Sequence, residues 1–155
     1  MARICIVDTT FARVDMASVA IEKLKTLMPS VQIFRRTVPG IKDIPVAVKK
    51  LMVEKECDAG MVFGWVGPSL TDKISYAVYS LALQMVQLDL LKPIIDVTVH
   101  EDEAEDEKTL YRVAMDRAEK HAENLYLVLY RPDEMERRAG TGRRQGWPDV
   151  GPILP

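Results

Sequence analysis

Along the chain, short strand-like runs alternate with longer segments whose apolar residues recur at helical spacing. The strand-like runs are residues 3–8, 31–38, 59–66 and 94–99. The helical segments are residues 14–28, 44–56 and 102–123, together with a third one that follows a turn at 67–72 and extends to about residue 90. Because strand and helix alternate four times, the pattern predicts an α/β fold with a parallel sheet and right-handed crossovers. The first run is apolar almost throughout, which predicts a central strand covered on both faces.

The third helical segment is apolar almost all round. Its apolar residues include Ile74, Ala77, Val78, Leu81, Ala82, Leu83, Met85, Val86 and Leu88. A helix of this kind has to be covered on two sides. The sheet covers only one side, so we expect the other side to meet another subunit.

The last third of the chain gives a weaker pattern. Residues 125–130, Leu-Tyr-Leu-Val-Leu-Tyr, have the composition of a strand. A further turn of helix is expected at 133–139 and an irregular tail at about 140–155. With 155 residues, 48% of them hydrophobic, the chain is expected to form a single domain over 1–155.

Charge and cysteine content describe the expected environment. The formal net charge of -2 provides no overall attraction to nucleic acid or to acidic membranes. The arginine pairs 137–138 and 143–144 lack interleaved aromatic residues and are interpreted as solvated or intersubunit. Cys5 and Cys57 have no metal-site spacing and no disulfide framework around them, which favours a reducing cytosol. Without a leader or a membrane-length apolar run, a cytoplasmic protein is expected.

The turn at residues 37–47 is the first candidate site. A strand ends there at Pro39-Gly40, and Asp43 then precedes a helix with Pro45 in its first turn, which predicts Asp43 as the helix N-cap. Open α/β sheets bind ligands where the carboxyl ends of their strands meet such turns. This turn is therefore predicted to form a wall of a binding site.

The amino-acid sequence of this turn also resembles a motif of a known protein family. Residues 38–47, Val-Pro-Gly-Ile-Lys-Asp-Ile-Pro-Val-Ala, resemble the Val-Pro-Gly-x-x-Glu-Ile-Pro-x-Ala signature of the lumazine synthase fold family, with Asp in place of Glu. Residues 8–13 and 100–104 extend the resemblance to the archaeal type of riboflavin synthase over nearly the whole chain. The resemblance implies a flavodoxin-like three-layer sandwich with strand order 2-1-3-4, a helix at 125–130, and homopentamers with active sites between neighbouring subunits.

Several substrate-binding positions follow from the resemblance. Phe11, which by its residue type alone favours core packing, matches an aromatic residue that stacks on the substrate ring, beside Thr10 and Ala12. Asp43 matches an acid that hydrogen-bonds the ribityl hydroxyls, and the same wall includes Gly40, Ile41 and Lys42. Gly64, Trp65 and Val66 form the third turn. There the relatives carry Gly-Ala-Thr-Thr-His for a substrate phosphate and proton transfer, whereas this chain has neither Thr nor His at those places.

Further candidates lie on the fourth strand and the helix after it. Asp96 interrupts an apolar run, so it needs a partner if buried, and a structural role is as reasonable as a site role. His100 follows at the end of the same strand, and Arg117 and His121 lie one helical turn apart. Arg117 matches an active-site arginine of the relatives, and His121 replaces a lysine. His100, Asp43 and His121 are all candidates for proton transfer.

The resemblance implies the dismutation of two dimethyl-ribityl-lumazine molecules by transfer of a four-carbon unit. This chemistry needs no organic cofactor. The resemblance also implies that Mg2+ or Mn2+ could stimulate the enzyme. The acidic block at 101–107 has no calcium-loop spacing and is interpreted as a solvated helix start. The alternatives are a lumazine synthase, a non-catalytic lumazine- or flavin-binding protein, and a scaffold that uses its third helix for assembly.

Overall fold

A computed structural model describes residues 1–154, in which a parallel sheet lies between two layers of helices. The strands are β1 (Arg3–Thr9), β2 (Gln32–Val38), β3 (Ala59–Val66) and β4 (Ile94–His100). The helices are α1 (Met16–Leu27), α2 (Ile44–Glu54), α3 (Leu70–Leu90), α4 (Glu107–Tyr130) and α5 (Pro132–Arg137). The spatial order β2-β1-β3-β4 and the parallel pairing confirm the predicted sandwich.

Alternating side chains of the strands build one core on each face of the sheet. Ile4 and Ile6 of β1 pack in the core that includes α1 and α4, whereas Cys5 and Val7 pack in the core that includes α2 and α3. Every residue of β3 is buried, as are residues 4–9 of β1. The two middle strands are therefore covered on both faces, as predicted for the first run.

Short acidic side chains decide where two of the helices begin. The Ser18 N–H donates to Asp15 Oδ1 (3.2 Å) at the start of α1, and the Thr109 N–H donates to Asp106 Oδ1 (2.7 Å) at the start of α4. The predicted start of the last long helix near residue 102 was therefore wrong. Residues Glu101–Glu103 form a separate 3-10 turn between β4 and α4.

The strand-like composition of residues 125–130 was misleading, and the helix implied by the resemblance is confirmed. Ala114, Ala118, Ala122 and Leu125 are completely buried at helical spacing along α4. This apolar stripe continues in register, so the helix extends to Tyr130. Packing of one continuous face outweighs the local β propensity.

The expectation of two separate thiols was also wrong. Cys5 and Cys57 form a disulfide, with their Cα atoms 5.9 Å apart, and both residues are completely buried. Counting cysteines did not show that β1 and the segment before β3 bring together residues 52 positions apart. The thiol argument for a reducing compartment is therefore lost.

The outer side of α3 is apolar and is not covered by the rest of residues 1–154. Its exposed residues follow a stripe with alternating spacings of four and three residues, namely Ile74, Val78, Leu81, Met85 and Leu88. The opposite side of the helix buries Tyr79, Leu83 and Val86 in the core. Within residues 1–154, no helix has the length and hydropathy needed to cross a membrane.

Candidate active site

The turns after β1 and β2 are joined by main-chain hydrogen bonds. The Thr10 N–H donates to the Val38 carbonyl (2.9 Å), and the Phe11 N–H donates to the Pro39 carbonyl (3.2 Å). These bonds hold Phe11 at the carboxyl edge of the sheet with 51% of its surface exposed. Core packing, the simplest interpretation of this phenylalanine from sequence, is therefore wrong, and its ring is free to stack on a ligand.

Asp43 closes the turn that follows β2. Its Oδ2 accepts a hydrogen bond from the Gly40 N–H (3.1 Å), and its side chain makes no capping bond to α2. Its predicted role as side-chain N-cap was wrong, because the 3-10 turn Ile41–Asp43 points the carboxylate back at Gly40. Asp43 and Lys42 are exposed while Ile41 is buried, so the turn presents a carboxylate to solvent above an apolar base.

The end of β3 brings a third turn next to this one. A Cβ at Gly64 would lie 2.6 Å from Thr98 Oγ1 and 3.4 Å from a methyl group of Ile41, so only glycine allows the strand to pass this close. The side chain of Trp65 points to the other face, where it is buried and its Nε1–H donates to Glu101 Oε1 (2.8 Å). Val66 is buried as well.

The N-terminus of α3 is occupied by groups of its own chain. The Asp72 N–H donates to Ser69 Oγ (3.1 Å), and the Ser69 hydroxyl donates to Asp72 Oδ2 (2.7 Å). A Cβ at Gly67 would collide with the Asp72 carboxylate. A negative charge therefore already lies at the helix end where an anionic ligand would otherwise bind.

Asp96 of β4 is partly buried and held by two hydroxyl groups. Tyr79 Oη donates to Asp96 Oδ1 (2.9 Å) from α3, and Thr98 Oγ1 donates to the same oxygen (2.6 Å). Burial raises the pKa of Asp96 and, together with the Asp96 charge, raises that of Tyr79. The partner that an acid in an apolar strand needs is thus a pair of hydroxyl groups on one carboxylate oxygen.

His100 lies at the end of β4 in contact with α3. Its Nδ1 is 3.0 Å from Lys73 Nζ, which also donates to Asp102 Oδ1 (2.7 Å), and its ring meets Tyr76 edge-on at 4.8 Å. Burial and the positive Lys73 lower the pKa of His100. Because an ammonium group only donates, Nδ1 must accept this bond, which places the proton of the neutral ring on Nε2.

Arg117 of α4 donates four hydrogen bonds to groups of its own chain. Its Nη1 and Nη2 donate to Glu103 Oε1 (2.6 Å) and Oε2 (2.9 Å), a bidentate pair. Nη1 also donates to the Thr98 carbonyl (2.9 Å), and Nε donates to the Gln145 carbonyl (3.0 Å). Only 12% of the Arg117 side chain is exposed.

His121 lines a cavity beside the free edge of β4. The cavity has a volume of about 520 Å³ and lies between β4, α4 and the chain after α5; it is also lined by Asp96 and Asn124. Burial and the nearby Arg117 lower the pKa of His121 to about 4. The imidazole is therefore neutral at physiological pH.

The predicted residues thus form two groups. The turn group comprises Thr10–Ala12, Gly40–Asp43 and Gly64–Val66; the β4 group comprises Asp96, His100, Arg117 and His121. Since β2 and β4 are the two edges of a four-stranded sheet, the outer ends of these groups are separated by three strand spacings, roughly 14 Å. One chain alone therefore does not bring Asp43 and His121 together.

Sequence reasoning missed the residues that organise the β4 group. Lys73 holds His100, and Glu103 holds Arg117 and accepts from the His100 N–H (2.8 Å). The acidic block was interpreted as solvated, yet Glu101, Asp102 and Glu103 each bind a named partner. These three acids directly follow a predicted strand, and this position was the sequence feature that could have indicated their role. Among residues 1–154, no three His, Cys, Asp or Glu side chains converge as a metal site.

Comparison with known proteins places this geometry in a family. A family model described as 6,7-dimethyl-8-ribityllumazine synthase matches residues 1–130, and the chain therefore belongs to the lumazine synthase family. Among curated proteins, the chain is 52% identical over 152 residues to the riboflavin synthase of Archaeoglobus fulgidus, covering 98% of this chain and 99% of that protein. It is 51% identical over 149 residues to the riboflavin synthase of Aeropyrum pernix, covering 96% of each chain. It is 46% identical over 153 residues to that of Methanothermobacter thermautotrophicus, covering 99% of this chain and all of that protein.

Proposed function

We propose that this protein is a riboflavin synthase. Two molecules of 6,7-dimethyl-8-ribityllumazine react, and one donates a four-carbon unit to the other. The products are riboflavin and 5-amino-6-ribitylaminopyrimidinedione, so no external oxidant or reductant is consumed. Support comes from the full-length similarity to proteins named riboflavin synthase and from the open turn that carries Phe11 and Asp43.

The turn group is suited to a flat ring that carries a sugar-alcohol chain. The half-exposed Phe11 ring provides a stacking surface. The Asp43 carboxylate is an acceptor for several hydroxyl groups, and charged acceptors make the stronger hydrogen bonds. The main chain of Gly40, Ile41 and Lys42 completes this wall, while Thr10 and Ala12 continue it on the β1 side.

The complete site requires two neighbouring subunits. Gly64–Val66 of the turn group pairs with β4 in the same chain, but Asp43 at the β2 end is separated from His121 by the width of the sheet, and the apolar stripe on α3 is exposed. In a homopentamer, which the family resemblance implies, the turn group of one subunit would face the β4 group of the next and the stripe would be buried. Native mass spectrometry of the purified protein tests this assembly.

The observation that favours riboflavin synthase over lumazine synthase is the Ser69–Asp72 pair. A lumazine synthase must bind a phosphorylated four-carbon substrate, yet the N-terminus of α3 carries the Asp72 carboxylate beside Gly67. A phosphate placed there would meet a like charge. We therefore expect no lumazine formation from aminoribitylpyrimidinedione and butanone phosphate, measured by the appearance of lumazine fluorescence.

The decisive experiment supplies purified 6,7-dimethyl-8-ribityllumazine as the only organic reactant. Production of riboflavin, followed by its fluorescence and by chromatography, supports the proposal. A non-catalytic lumazine- or flavin-binding protein would bind the compound without turnover, and an assembly scaffold would not bind it at all.

The chemistry rests on proximity and proton transfer. Holding two rings in contact lowers the entropic barrier to their reaction. A group must also accept a proton from an acidic ring methyl, and His100, Asp43 and His121 are the candidates. We expect no organic cofactor; a requirement for Mg2+ or Mn2+ is tested by turnover in a chelator before and after each ion is restored. A cytoplasmic location is a further prediction, which cell fractionation tests.

A further inference from the structure

The chain after α5 folds back along α4. The Gln145 carbonyl accepts from Arg117 Nε (3.0 Å), and the Gly146 N–H donates to Asp116 Oδ2 (2.8 Å). Trp147 Nε1–H then donates to Glu103 Oε2 (3.3 Å). Three consecutive residues are therefore anchored to α4 and to the turn after β4.

This close approach depends on a glycine. Gly146 has a φ of +93°, and a Cβ there would lie 2.6 Å from Arg117 Nη2. The backbone passes directly over the guanidinium, where a side chain would push it away. Arg117 already uses four of its five N–H bonds for Glu103, Thr98 and Gln145, so little of it is left for a ligand.

The anchored segment continues into a small loop that closes one side of the β4 cavity. The Val150 N–H donates to the Gly142 carbonyl (3.0 Å), and the Arg144 N–H donates to Asp149 Oδ1 (2.8 Å). Residues 143–145 and Asp149 line the cavity together with Asp96 and His121. We call residues 142–149 the C-terminal wall.

We propose that the C-terminal wall positions the ring of a bound ribityllumazine in the β4 cavity, and that Arg117 acts by anchoring this wall instead of touching the substrate. The inference rests on the proposed function, since it takes the cavity as the β4 half of that site. Arg143 and Arg144 line the cavity, and their side chains are donors for the carbonyl oxygens of a pyrimidinedione ring. Arg117 is thus a positioning residue.

Two glycines of the full-length chain provide a matched test. Gly142 (φ +65°) and Gly140 (φ +74°) both have left-handed backbones, so alanine strains both alike. An alanine Cβ at Gly142 would lie 2.5 Å from the Gly151 carbonyl oxygen, whereas at Gly140 it would meet nothing within 4 Å. Gly142→Ala therefore disturbs the wall without contacting Arg117, and Gly140→Ala is its control.

We expect Gly142→Ala to lower kcat/KM for ribityllumazine about 10- to 100-fold, mainly through a higher KM, because the ring is no longer held in place. Gly140→Ala should change it less than about twofold. Gly146→Ala is a second wall variant if Gly142→Ala does not fold, and thermal unfolding checks every variant. If Gly140→Ala and Gly142→Ala lowered kcat/KM equally, the proposed role of the C-terminal wall would be wrong.

A double-mutant cycle then tests whether Arg117 anchors the C-terminal wall or contacts the substrate. If Arg117 acts through the wall, Arg117→Gln combined with Gly142→Ala should lower kcat/KM no further than the stronger single variant. If Arg117 contacts the substrate, the two effects multiply, and the inference is wrong. Lumazine binding, measured by its fluorescence, provides a second readout. A wild-type chain that binds lumazine without making riboflavin refutes the proposed function alone, while the same variants still test the wall through binding.

Discussion

The turn group and the β4 group present their side chains in opposite ways. In the turn group, Phe11 and Asp43 are exposed and fixed mainly by main-chain hydrogen bonds of the turns that carry them. In the β4 group, Asp96 and Arg117 are partly buried and each makes several polar contacts within the chain. This difference indicates that exposed residues on a rigid turn are available for a ligand, whereas paired residues inside the chain mainly stabilise the fold. Substitutions in the first group should therefore affect activity with little change in stability, whereas substitutions in the second group should affect stability as well.

The largest effect on stability is expected from Glu103→Ala. Burial alone would raise the pKa of Glu103, but Arg117 and the His100 N–H outweigh burial and lower it. Removing this carboxylate leaves the Arg117 guanidinium buried without its partner, which should cost about 3 kcal/mol of unfolding free energy. Denaturant unfolding measures the loss, with the exposed Glu105→Ala as control. Equal losses for the two variants would remove the contrast between the groups.

The next effect is a dependence of stability on pH that comes from His121. Its pKa is about 4 in the folded chain and about 6.5 when unfolded, so between these values only the unfolded chain binds the proton. The free energy of unfolding should therefore fall by up to about 3 kcal/mol as the pH drops through this window. His121→Gln should flatten the fall in denaturant titrations. An unchanged slope would show that His121 is not the group responsible; His100, whose pKa is also lowered, contributes in the same direction.

In the turn group, Asp43→Ala should change activity and leave stability almost unchanged. Loss of a charged acceptor for the ribityl hydroxyls should lower kcat/KM about 10- to 100-fold, while an exposed carboxylate contributes little to folding. Steady-state kinetics and thermal unfolding of the same preparation measure both quantities. Lys42→Ala is the matched control, because the main chain of Lys42 is expected to line the wall. Full activity of Asp43→Ala would contradict the assignment of the polyol site.

The smallest effect is expected at Phe11. Replacing the exposed ring by leucine retains apolar surface but removes stacking, which should raise the KM for ribityllumazine about threefold to tenfold. Phe11→Tyr, which keeps the ring, is the control. A leucine variant as active as wild type would mean that stacking at this turn is unimportant.

Patterns local in sequence predicted most of the fold. The bounds of β3 and the end of α3 near Leu90 were predicted as they occur, whereas α3 begins at Leu70, inside the predicted turn at 67–72, because Ser69 caps it. The position of Asp43 before a helix was also correct, but not what its side chain binds, since the partner is the Gly40 N–H of the preceding turn. Arg117 was found through the family resemblance, whereas its partners Glu103 and Gln145 depend on how distant segments meet.

The sequence by itself determined the parallel α/β sandwich and the turn that carries Asp43, while the strand order and a ring-stacking position for Phe11 came through the family resemblance. These features depend on periodicity, turn residues and one continuous motif, and each of these signals involves only residues that are close together in the sequence. Only the tertiary structure decided that Cys5 meets Cys57, that Arg117 anchors the chain at Gln145, and that the candidate residues divide into two groups. Each of these depends on contacts between residues far apart in sequence, which the packing of the two cores brings together.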